Sequence, residues 1–150
     1  MKKIGIIGCG RQAPKHIKGY IENGINDIFV SDIINEKAQH IATEFGIKSL
    51  GIDELINSKE IDIYSVCTPP KTHDGIIEKL ISNNKHFLCE KPISLSANKL
   101  NRYIQMTKSN NTIAMGGYIY KFSPAYHSLR ETIHQKKIDI NSAYLRVASP

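Results

Sequence analysis

The N-terminal segment carries the residues whose types and spacing bear most directly on chemistry. The apolar run Ile4-Gly5-Ile6-Ile7 is followed by Gly8-x-Gly10-x-x-Ala13 and then by a helical pattern over 14–23. In such a strand–turn–helix the first glycine permits a tight turn, the second leaves room for a pyrophosphate, and a small third residue lets the helix pack close to the strand. The helix N-terminus adds N–H groups and a positive dipole. We therefore assign the turn to dinucleotide binding, with Gly8, Gly10, Arg11, Gln12 and Ala13 as its residues.

A carboxylate follows the glycines at the distance that this interpretation requires. The run Ile28-Phe29-Val30-Ser31 is predicted to be a second strand, and Asp32 comes directly after it. A dinucleotide site needs an acidic residue about 20 residues beyond the glycines, to accept hydrogen bonds from the adenosine ribose. The alternative is an ordinary strand–helix turn in which Asp32 caps the next helix. The glycine pattern, its place between a strand and a helix, and the acidic residue at the required distance are three independent requirements of a dinucleotide site. Because all three are met, we favour that site.

Strand and helix patterns alternate along the rest of the chain. Apolar runs predict further strands over 61–67, 86–89, 112–115 and 143–148, and apolar residues at helical spacing predict helices over 35–46, 53–58, 72–84, 96–110 and 124–137. Such alternation implies right-handed crossovers and a doubly wound parallel α/β sheet. Ligands of these sheets bind beyond the carboxyl ends of the strands, and the unusual residue clusters of this chain fall at those ends.

Two of these clusters contain candidate site residues. Thr68-Pro69-Pro70 follows the 61–67 strand and offers a hydroxyl and rigid turns to a cofactor, although a plain connection to the next helix explains it equally well. His73 either faces a ligand or, as is more usual for a histidine in a first helical turn, hydrogen-bonds to the backbone.

The second cluster, Glu90-Lys91-Pro92, follows the 86–89 strand. A charged pair directly after a strand buried on both faces is unusual unless the charges face a polar crevice, and the alternative is a surface salt bridge in a loop. A lysine beside a nicotinamide could polarise or deprotonate a substrate hydroxyl. Pro92 could fix the turn, and a cis peptide bond is one way to do so.

Composition and charge limit the other function classes. The 150 residues include 41% hydrophobic and 23% charged residues, enough for one domain with a real core. The net charge of +6 is spread along the chain rather than clustered, so we expect an anionic small-molecule ligand and no nucleic-acid partner. No apolar run is long enough to cross a membrane. The three cysteines lack metal-ligand spacing and predict buried, reduced thiols in a cytoplasmic protein.

These motifs together resemble the glucose–fructose oxidoreductase, inositol dehydrogenase and rhizopine-catabolism (Gfo/Idh/MocA) family. The resemblance also includes Gly117-Tyr118-Ile119-Tyr120-Lys121-Phe122-Ser123-Pro124, which is similar to the family's Gly-aromatic-x-x-Arg-Phe-x-Pro segment. It implies NAD(P)-dependent oxidation or reduction of a hydroxyl on a sugar, sugar derivative or cyclitol. The Asp32 carboxylate itself would repel a 2′-phosphate, so we expect NAD rather than NADP. The resemblance also implies that Lys91 is catalytic, that Glu90 and the Thr68–His73 turn line the cofactor pocket, and that the full-length enzyme is a homo-oligomer.

The chain departs from the family pattern in two ways. Lys121 stands where the family more often has arginine, and the Asp-x-x-x-His pair of the family's second domain occurs nowhere in the chain. We therefore expect a dinucleotide-binding domain over 1–122, followed over 123–150 by a linking helix and the first strand of a truncated substrate domain. Alone, such a chain is expected to bind cofactor without significant turnover. The alternative function is a non-catalytic dinucleotide-binding module, either a truncated product or a sensor.

Overall fold

The computed structural model describes residues 2–142 and 144, and it is organised around a six-stranded parallel sheet in the order β3-β2-β1-β4-β5-β6. The strands are β1 (Ile4–Ile7), β2 (Ile28–Ser31), β3 (Lys48–Ser49), β4 (Ile63–Val66), β5 (His86–Cys89) and β6 (Ala114–Gly116). The helices are α1 (Ala13–Glu22), α2 (Asn35–Phe45), α3 (Ile52–Asn57), α4 (Pro70–Ser82), α5 (Ala97–Ser109) and α6 (Pro124–Gln135). This is the predicted doubly wound α/β fold of the Rossmann type.

The central strands are apolar because helices cover both faces of the sheet. In β1, Ile4 and Ile6 pack with α1 and α2, while Ile7 packs on the opposite face with residues of α3, α4 and α5. Alternate residues of a strand point to opposite faces, so a run of isoleucines supplies both layers at once. Strand β1 pairs with β2 on one side and β4 on the other, with Ile4 opposite Ile28 and Ile63. The order reverses at this point, and it is here that such sheets bind ligands.

Local signals explain where several helices begin and end. Helix α2 stops at Gly46, whose φ of 63° is the left-handed conformation that commonly ends a helix. The Ser96 side chain accepts a hydrogen bond from the Lys99 amide at the start of α5, and Ser123 accepts one from Tyr126 at the start of α6. Pro14 and Pro70 stand in the first turns of α1 and α4, where a missing N–H costs nothing.

Strand β3 is the one element of the sheet that the sequence did not predict. It has two exposed residues, Lys48 and Ser49, which pair with Phe29 and Val30 of β2 at the sheet edge. Two polar residues show no alternation of apolar and polar side chains from which a strand could be predicted. The position of β3 depends instead on its pairing with β2. The strand predicted over 143–148 lies, apart from residue 144, outside the described residues.

The chain forms two compact units, Met1–Gly117 and Tyr118–Pro150. The first contains the sheet and helices α1 to α5. The second contains a 3-10 turn, Ile119–Phe122, followed by α6. In the part of the chain that the structure describes, no helix is both long enough and apolar enough to cross a membrane.

The three cysteines are buried and unbridged, as the sequence predicted. Burial raises the pKa of the Cys9, Cys67 and Cys89 thiols to about 12 from an ordinary value of 9.0, and nearby carboxylates add to each increase. Because the thiolate is the reactive form, these side chains are unreactive near neutral pH in the folded protein.

We therefore expect the native chain at pH 7.5 to react with a thiol reagent such as Ellman's reagent far more slowly than the urea-unfolded chain, in which all three thiols react. The thiols ionise near pH 9 in the unfolded state and near 12 in the folded state, so their contribution to stability is complete below pH 9 and is lost as the pH rises from about 9 to 12. Urea unfolding monitored across this range measures the loss. Rapid native labelling of all three thiols would contradict the burial.

Candidate functional site

The residues singled out in the sequence lie at one edge of the sheet. Strands β1, β2, β4 and β5 end at Ile7, Ser31, Val66 and Cys89. The glycine turn, Asp32, the Thr68 turn and Glu90-Lys91-Pro92 each begin within two residues of a strand end. All four strands are parallel, so their carboxyl ends meet at the same edge and bring these segments together.

Gly8 is required by both its conformation and its surroundings. Its φ is 94°, and a Cβ added there would lie 2.8 Å from the Thr68 backbone nitrogen and 2.9 Å from the Cys67 carbonyl carbon. The turn after β1 therefore passes directly against the turn after β4. Its amide also donates to the Ser31 carbonyl oxygen of β2 (2.8 Å), so Gly8 contacts both neighbouring strands.

At position 10, by contrast, neither the backbone conformation nor the surrounding atoms require a glycine. A Cβ added there would meet no atom of the described residues within 4 Å, and Gly10 is exposed. Beside it, α1 begins with the buried residue Ala13, and in the described part of the chain no side chain caps its N-terminus and no acidic residue lies in its first turn. Arg11 is exposed and Gln12 half-buried. The turn thus presents open space and a helix N-terminus, which is the environment that a phosphate group prefers.

The Asp32 carboxylate holds the glycine turn in place. Its Oδ2 accepts a hydrogen bond from the Cys9 amide (2.7 Å) and its Oδ1 accepts one from the Ile34 amide (2.9 Å). A carboxylate has about four lone-pair sites, so two acceptor positions remain. Asp32 does not cap α2, whose N-cap residue is Ile34 and has no side-chain cap.

The turn after β4 is tied to the turn after β5 through His73. The imidazole is fully buried, with Nε2 2.8 Å from the Thr68 carbonyl oxygen and Nδ1 2.9 Å from the Pro92 carbonyl oxygen. The ring therefore binds backbone, the more usual of the two roles considered for it. The Thr68 hydroxyl oxygen is buried without a partner among the described residues, and Pro69 is exposed beside the half-buried Pro70.

Glu90 is held on three sides. Its Oε1 lies 3.0 Å from His16 Nε2, and its Oε2 accepts a hydrogen bond from the Lys91 amide (3.2 Å). Gly117 packs against it so closely that an added Cβ would lie 3.3 Å from both Cα and Cδ of Glu90. The side chain is 14% exposed, whereas Lys91 is an exposed residue. The Lys91–Pro92 peptide bond is cis, as the sequence suggested.

The partners of Glu90 form a largely buried polar network that the sequence analysis missed. His16 Nδ1 lies 3.2 Å from Ser65 Oγ, and Ser65 Oγ lies 2.8 Å from the Tyr20 hydroxyl. Burial raises the pKa of Tyr20, which outweighs the opposing effect of its hydrogen bond to Ser65, so this hydroxyl stays protonated. The network joins α1, the middle of β4 and the end of β5.

Two sequence signals could have revealed this network. Ser65 is a polar residue within the otherwise apolar run of β4, and it is fully buried. His16 and Tyr20 are four residues apart on α1, so they lie on one face of that helix. A buried serine in a central strand needs partners, and the helix that follows the glycine turn is the nearest place for them.

The comparisons with known proteins agree with the fold. The family model described as an oxidoreductase family with an NAD-binding Rossmann fold, Gfo/Idh/MocA, matches residues 2–118. Inositol 2-dehydrogenase of Rhizobium meliloti is 28% identical over 137 residues, which are 91% of this chain and 42% of that protein. The NAD⁺-dependent scyllo-inositol 2-dehydrogenase of Bacillus subtilis is 28% identical over 140 residues, with 91% and 41% covered.

Solved structures show the same relationship. UDP-N-acetylglucosamine 3-dehydrogenase of Acidithiobacillus ferrooxidans superposes with a TM-score of 0.78 at 28% identity, and the match covers 87% of this chain and 41% of that one. The chain thus spans about two-fifths of the length of the relatives it matches. Because the family model covers most of the chain and the sheet has the order typical of dinucleotide-binding folds, the chain belongs to the Gfo/Idh/MocA oxidoreductase family, with an NAD-binding Rossmann fold.

Proposed function

We propose that the chain binds NAD(H) at the carboxyl edge of its sheet and supplies the cofactor-binding part of a dehydrogenase that acts on a hydroxyl of a cyclitol, a sugar or a sugar derivative. The observation that carries the proposal is the contrast between two glycines of one turn. Gly8 is explained by the packing of the protein itself, whereas Gly10 borders open space at an uncapped helix N-terminus. A glycine without a packing reason at this position is accounted for by a ligand that needs the space.

The residues present fit a dinucleotide. Gly10, Arg11 and Gln12 would contact the pyrophosphate with their backbone, and Ala13 lets α1 start close to the sheet. The two remaining acceptor positions of Asp32 suit the two adenosine ribose hydroxyls.

The nicotinamide end of the dinucleotide would lie against the turns that follow β4 and β5. That side of the cleft would be lined by Thr68, Pro69, Pro70 and Glu90. The buried Thr68 hydroxyl oxygen lacks a partner among the residues that the structure describes, and a polar ligand group would offset the cost of leaving it unpaired.

The preference between the two nicotinamide cofactors follows from the surroundings of Asp32. Its carboxylate would repel a 2′-phosphate, and the two residues after it, Ile33 and Ile34, are exposed and apolar, so they provide no cation for that phosphate. We therefore assign the site to NAD(H) rather than NADP(H).

Lys91 is the residue of this chain that we assign to chemistry. The bound nicotinamide would supply hydride transfer to or from the substrate carbon. Lys91 Nζ, exposed at the cleft, would exchange a proton with the substrate hydroxyl. Glu90 Oε2, which accepts from the Lys91 amide, and His73, which holds the Pro92 carbonyl oxygen, would position the backbone on both sides of Lys91.

The substrate class is inferred from the relatives. Several curated relatives are named as inositol dehydrogenases, and a similar solved structure is a dehydrogenase of a sugar nucleotide. These substrates share a ring carbon that bears a secondary hydroxyl. We expect the 150-residue chain by itself to bind cofactor without significant turnover, because it contains no Asp-x-x-x-His pair to complete the catalytic group.

The direct test is titration of the 150-residue chain with NADH, followed by nicotinamide fluorescence and by calorimetry. A single site should saturate. Failure of the folded chain to bind either NAD⁺ or NADH at millimolar concentration would overturn the proposed function.

The two glycines provide a matched pair of variants. Gly10→Ala should leave the free energy of unfolding within about 1 kcal/mol of wild type, because the added methyl meets no atom, yet should weaken NADH binding at least roughly tenfold by obstructing the pyrophosphate. Gly8→Ala should destabilise the fold by about 2–4 kcal/mol through left-handed strain and the clash with the Thr68 backbone. Urea unfolding and NADH titration measure both. Unchanged NADH affinity in Gly10→Ala would remove the main support for the site.

Replacement of Asp32 tests cofactor choice. The wild-type chain should bind NAD(H) more tightly than NADP(H), and Asp32→Ser should narrow the difference, because the repulsion of the 2′-phosphate disappears. Asp32→Asn is the matched control, since it keeps the size of the side chain and an acceptor for the Cys9 amide while removing the charge. Both variants are titrated with both cofactors. Equal or tighter NADP(H) binding by the wild type would refute the assignment.

Substitution of Lys91 separates chemistry from binding. Lys91→Met should change the NAD⁺ affinity of this chain by less than about threefold, because the side chain is exposed and the pyrophosphate and ribose contacts lie elsewhere. In an active protein that carries this chain, turnover should fall by roughly a hundredfold or more, the scale of losing a general acid–base group. A variant that loses NAD⁺ binding but keeps turnover at saturating NAD⁺ would reverse the assigned roles.

A further inference from the structure

We propose that His16 and Glu90 form a proton-exchange site coupled to the charge of the bound nicotinamide, so that the binding of NAD⁺, and not that of NADH, releases a proton from His16. This proposal rests on the proposed function, because it requires the nicotinamide to bind on the Glu90 side of the cleft. The proposal gives a role to the largely buried network of His16, Ser65 and Tyr20, which the cofactor-binding motifs leave unexplained.

The first support is the position of the pair. His16 and Glu90 are 12% and 14% exposed, and their atoms Nε2 and Oε1 are 3.0 Å apart. Glu90 follows β5 directly, at the carboxyl edge where the cofactor would bind, and His16 lies behind it on α1. Charges this well shielded from water interact more strongly than exposed ones. The cationic ring of NAD⁺ would oppose a second positive charge on His16, whereas the neutral ring of NADH would not.

The second support is that the network accepts either protonation state of His16 without losing a hydrogen bond. When His16 is neutral, Nε2–H donates to Glu90, Ser65 donates to Nδ1, and Tyr20 donates to Ser65. When His16 carries both protons, Nδ1–H donates to Ser65, and Ser65 donates to the Tyr20 oxygen. Both hydroxyls can act as donor or acceptor, so only the direction of the bonds reverses. A purely structural tie has no need of this reversibility.

The third support is a route for the proton. His16 and Tyr20 line an open groove of about 450 Å³ beside α1, together with Gly19, Asn23, Ile25 and Leu88. The residues that line this groove include none of those assigned to the cofactor. A proton that leaves Nδ1 through Ser65 and Tyr20 can therefore reach water even while the cofactor covers the cleft. The step is balanced: His16 loses one proton, water in the groove takes it up, and no electrons move.

The neighbouring titratable groups leave His16 as the site of exchange. Burial raises the pKa of Tyr20, and burial followed by the charge of Glu90 raises the pKa of Cys67 to about 12, as it does for Cys89 beside Glu90. These groups stay uncharged near neutral pH. Lys91, next to Glu90 in sequence, is an exposed residue.

The test is calorimetric titration of the 150-residue chain with NAD⁺ and, separately, with NADH, in two buffers of different ionisation enthalpy. At a series of pH values around neutral, NAD⁺ binding should release up to about one proton more than NADH binding does, and the ratio of NAD⁺ to NADH affinity should rise with pH by up to roughly tenfold. The variant His16→Gln, whose amide can still donate to Glu90 and accept from Ser65, should abolish the difference. The control His40→Gln, at an exposed histidine of α2, should preserve it.

A second measurement does not depend on any variant. The ¹⁵N shifts of His16 in the wild-type chain should move towards the neutral form when NAD⁺ binds and should move less with NADH. Equal proton release with the two cofactors, a difference that persists in His16→Gln, or identical His16 shifts in the two complexes would each overturn the proposal and leave the network as a structural tie. If neither cofactor binds, the proposed function fails first, and this inference fails with it.

Discussion

The close approach of Gly8 to the turn after β4 is the constraint on which the rest of the structure depends. The chain leaves β1 and β4, which are neighbours in the sheet, towards opposite faces, so their turns separate only after they have passed each other. With an added Cβ only 2.8 Å from the Thr68 backbone nitrogen, there is no space for a side chain at Gly8. That contact fixes where α1 begins, and with it where a pyrophosphate can lie. The cleft follows from the crossing of two turns, rather than from a pocket lined by large side chains.

The Asp32 carboxylate also restrains the glycine turn, from the side of β2. Asp32 accepts hydrogen bonds from Cys9 on the glycine turn and from Ile34 ahead of α2, so one carboxylate joins the ends of β1 and β2. The charge that would select the cofactor is thus already held in place by the protein before any ligand binds. Preorganisation of this kind lowers the entropy cost of binding. It also means that a change at Asp32 affects the glycine turn as well as the ribose, which is why an isosteric amide is needed to separate the two effects.

Sequence reasoning recovered the parts of this molecule that depend on local patterns. The glycine turn, the acid after β2 and the apolar strands all carry signals within a few residues, and the fold class follows from their alternation. The partners of His73 and Glu90 were not predictable in this way. His73 binds the carbonyl oxygen of Pro92, and Glu90 contacts His16 and Gly117, and these pairs are distant in sequence and meet only once the sheet has formed. Strand β3 was missed for a related reason, because two polar residues become a strand only by pairing with β2.

The largely buried network of His16, Ser65 and Tyr20 shows why this distinction matters for function. A central strand of a sheet covered on both faces gains stability from apolar side chains, so Ser65 in β4 sacrifices packing at a fully buried position. The Ser65 hydroxyl offsets the lost packing with hydrogen bonds to both His16 and Tyr20. These hydrogen bonds hold the His16 imidazole directly behind Glu90. An apolar residue at position 65 would remove the hydrogen bonds that Ser65 makes to His16 Nδ1 and to the Tyr20 hydroxyl. Ser65 is therefore better explained by its effect on the Glu90 carboxylate, at the edge where we propose that the cofactor binds, than by the stability of the sheet.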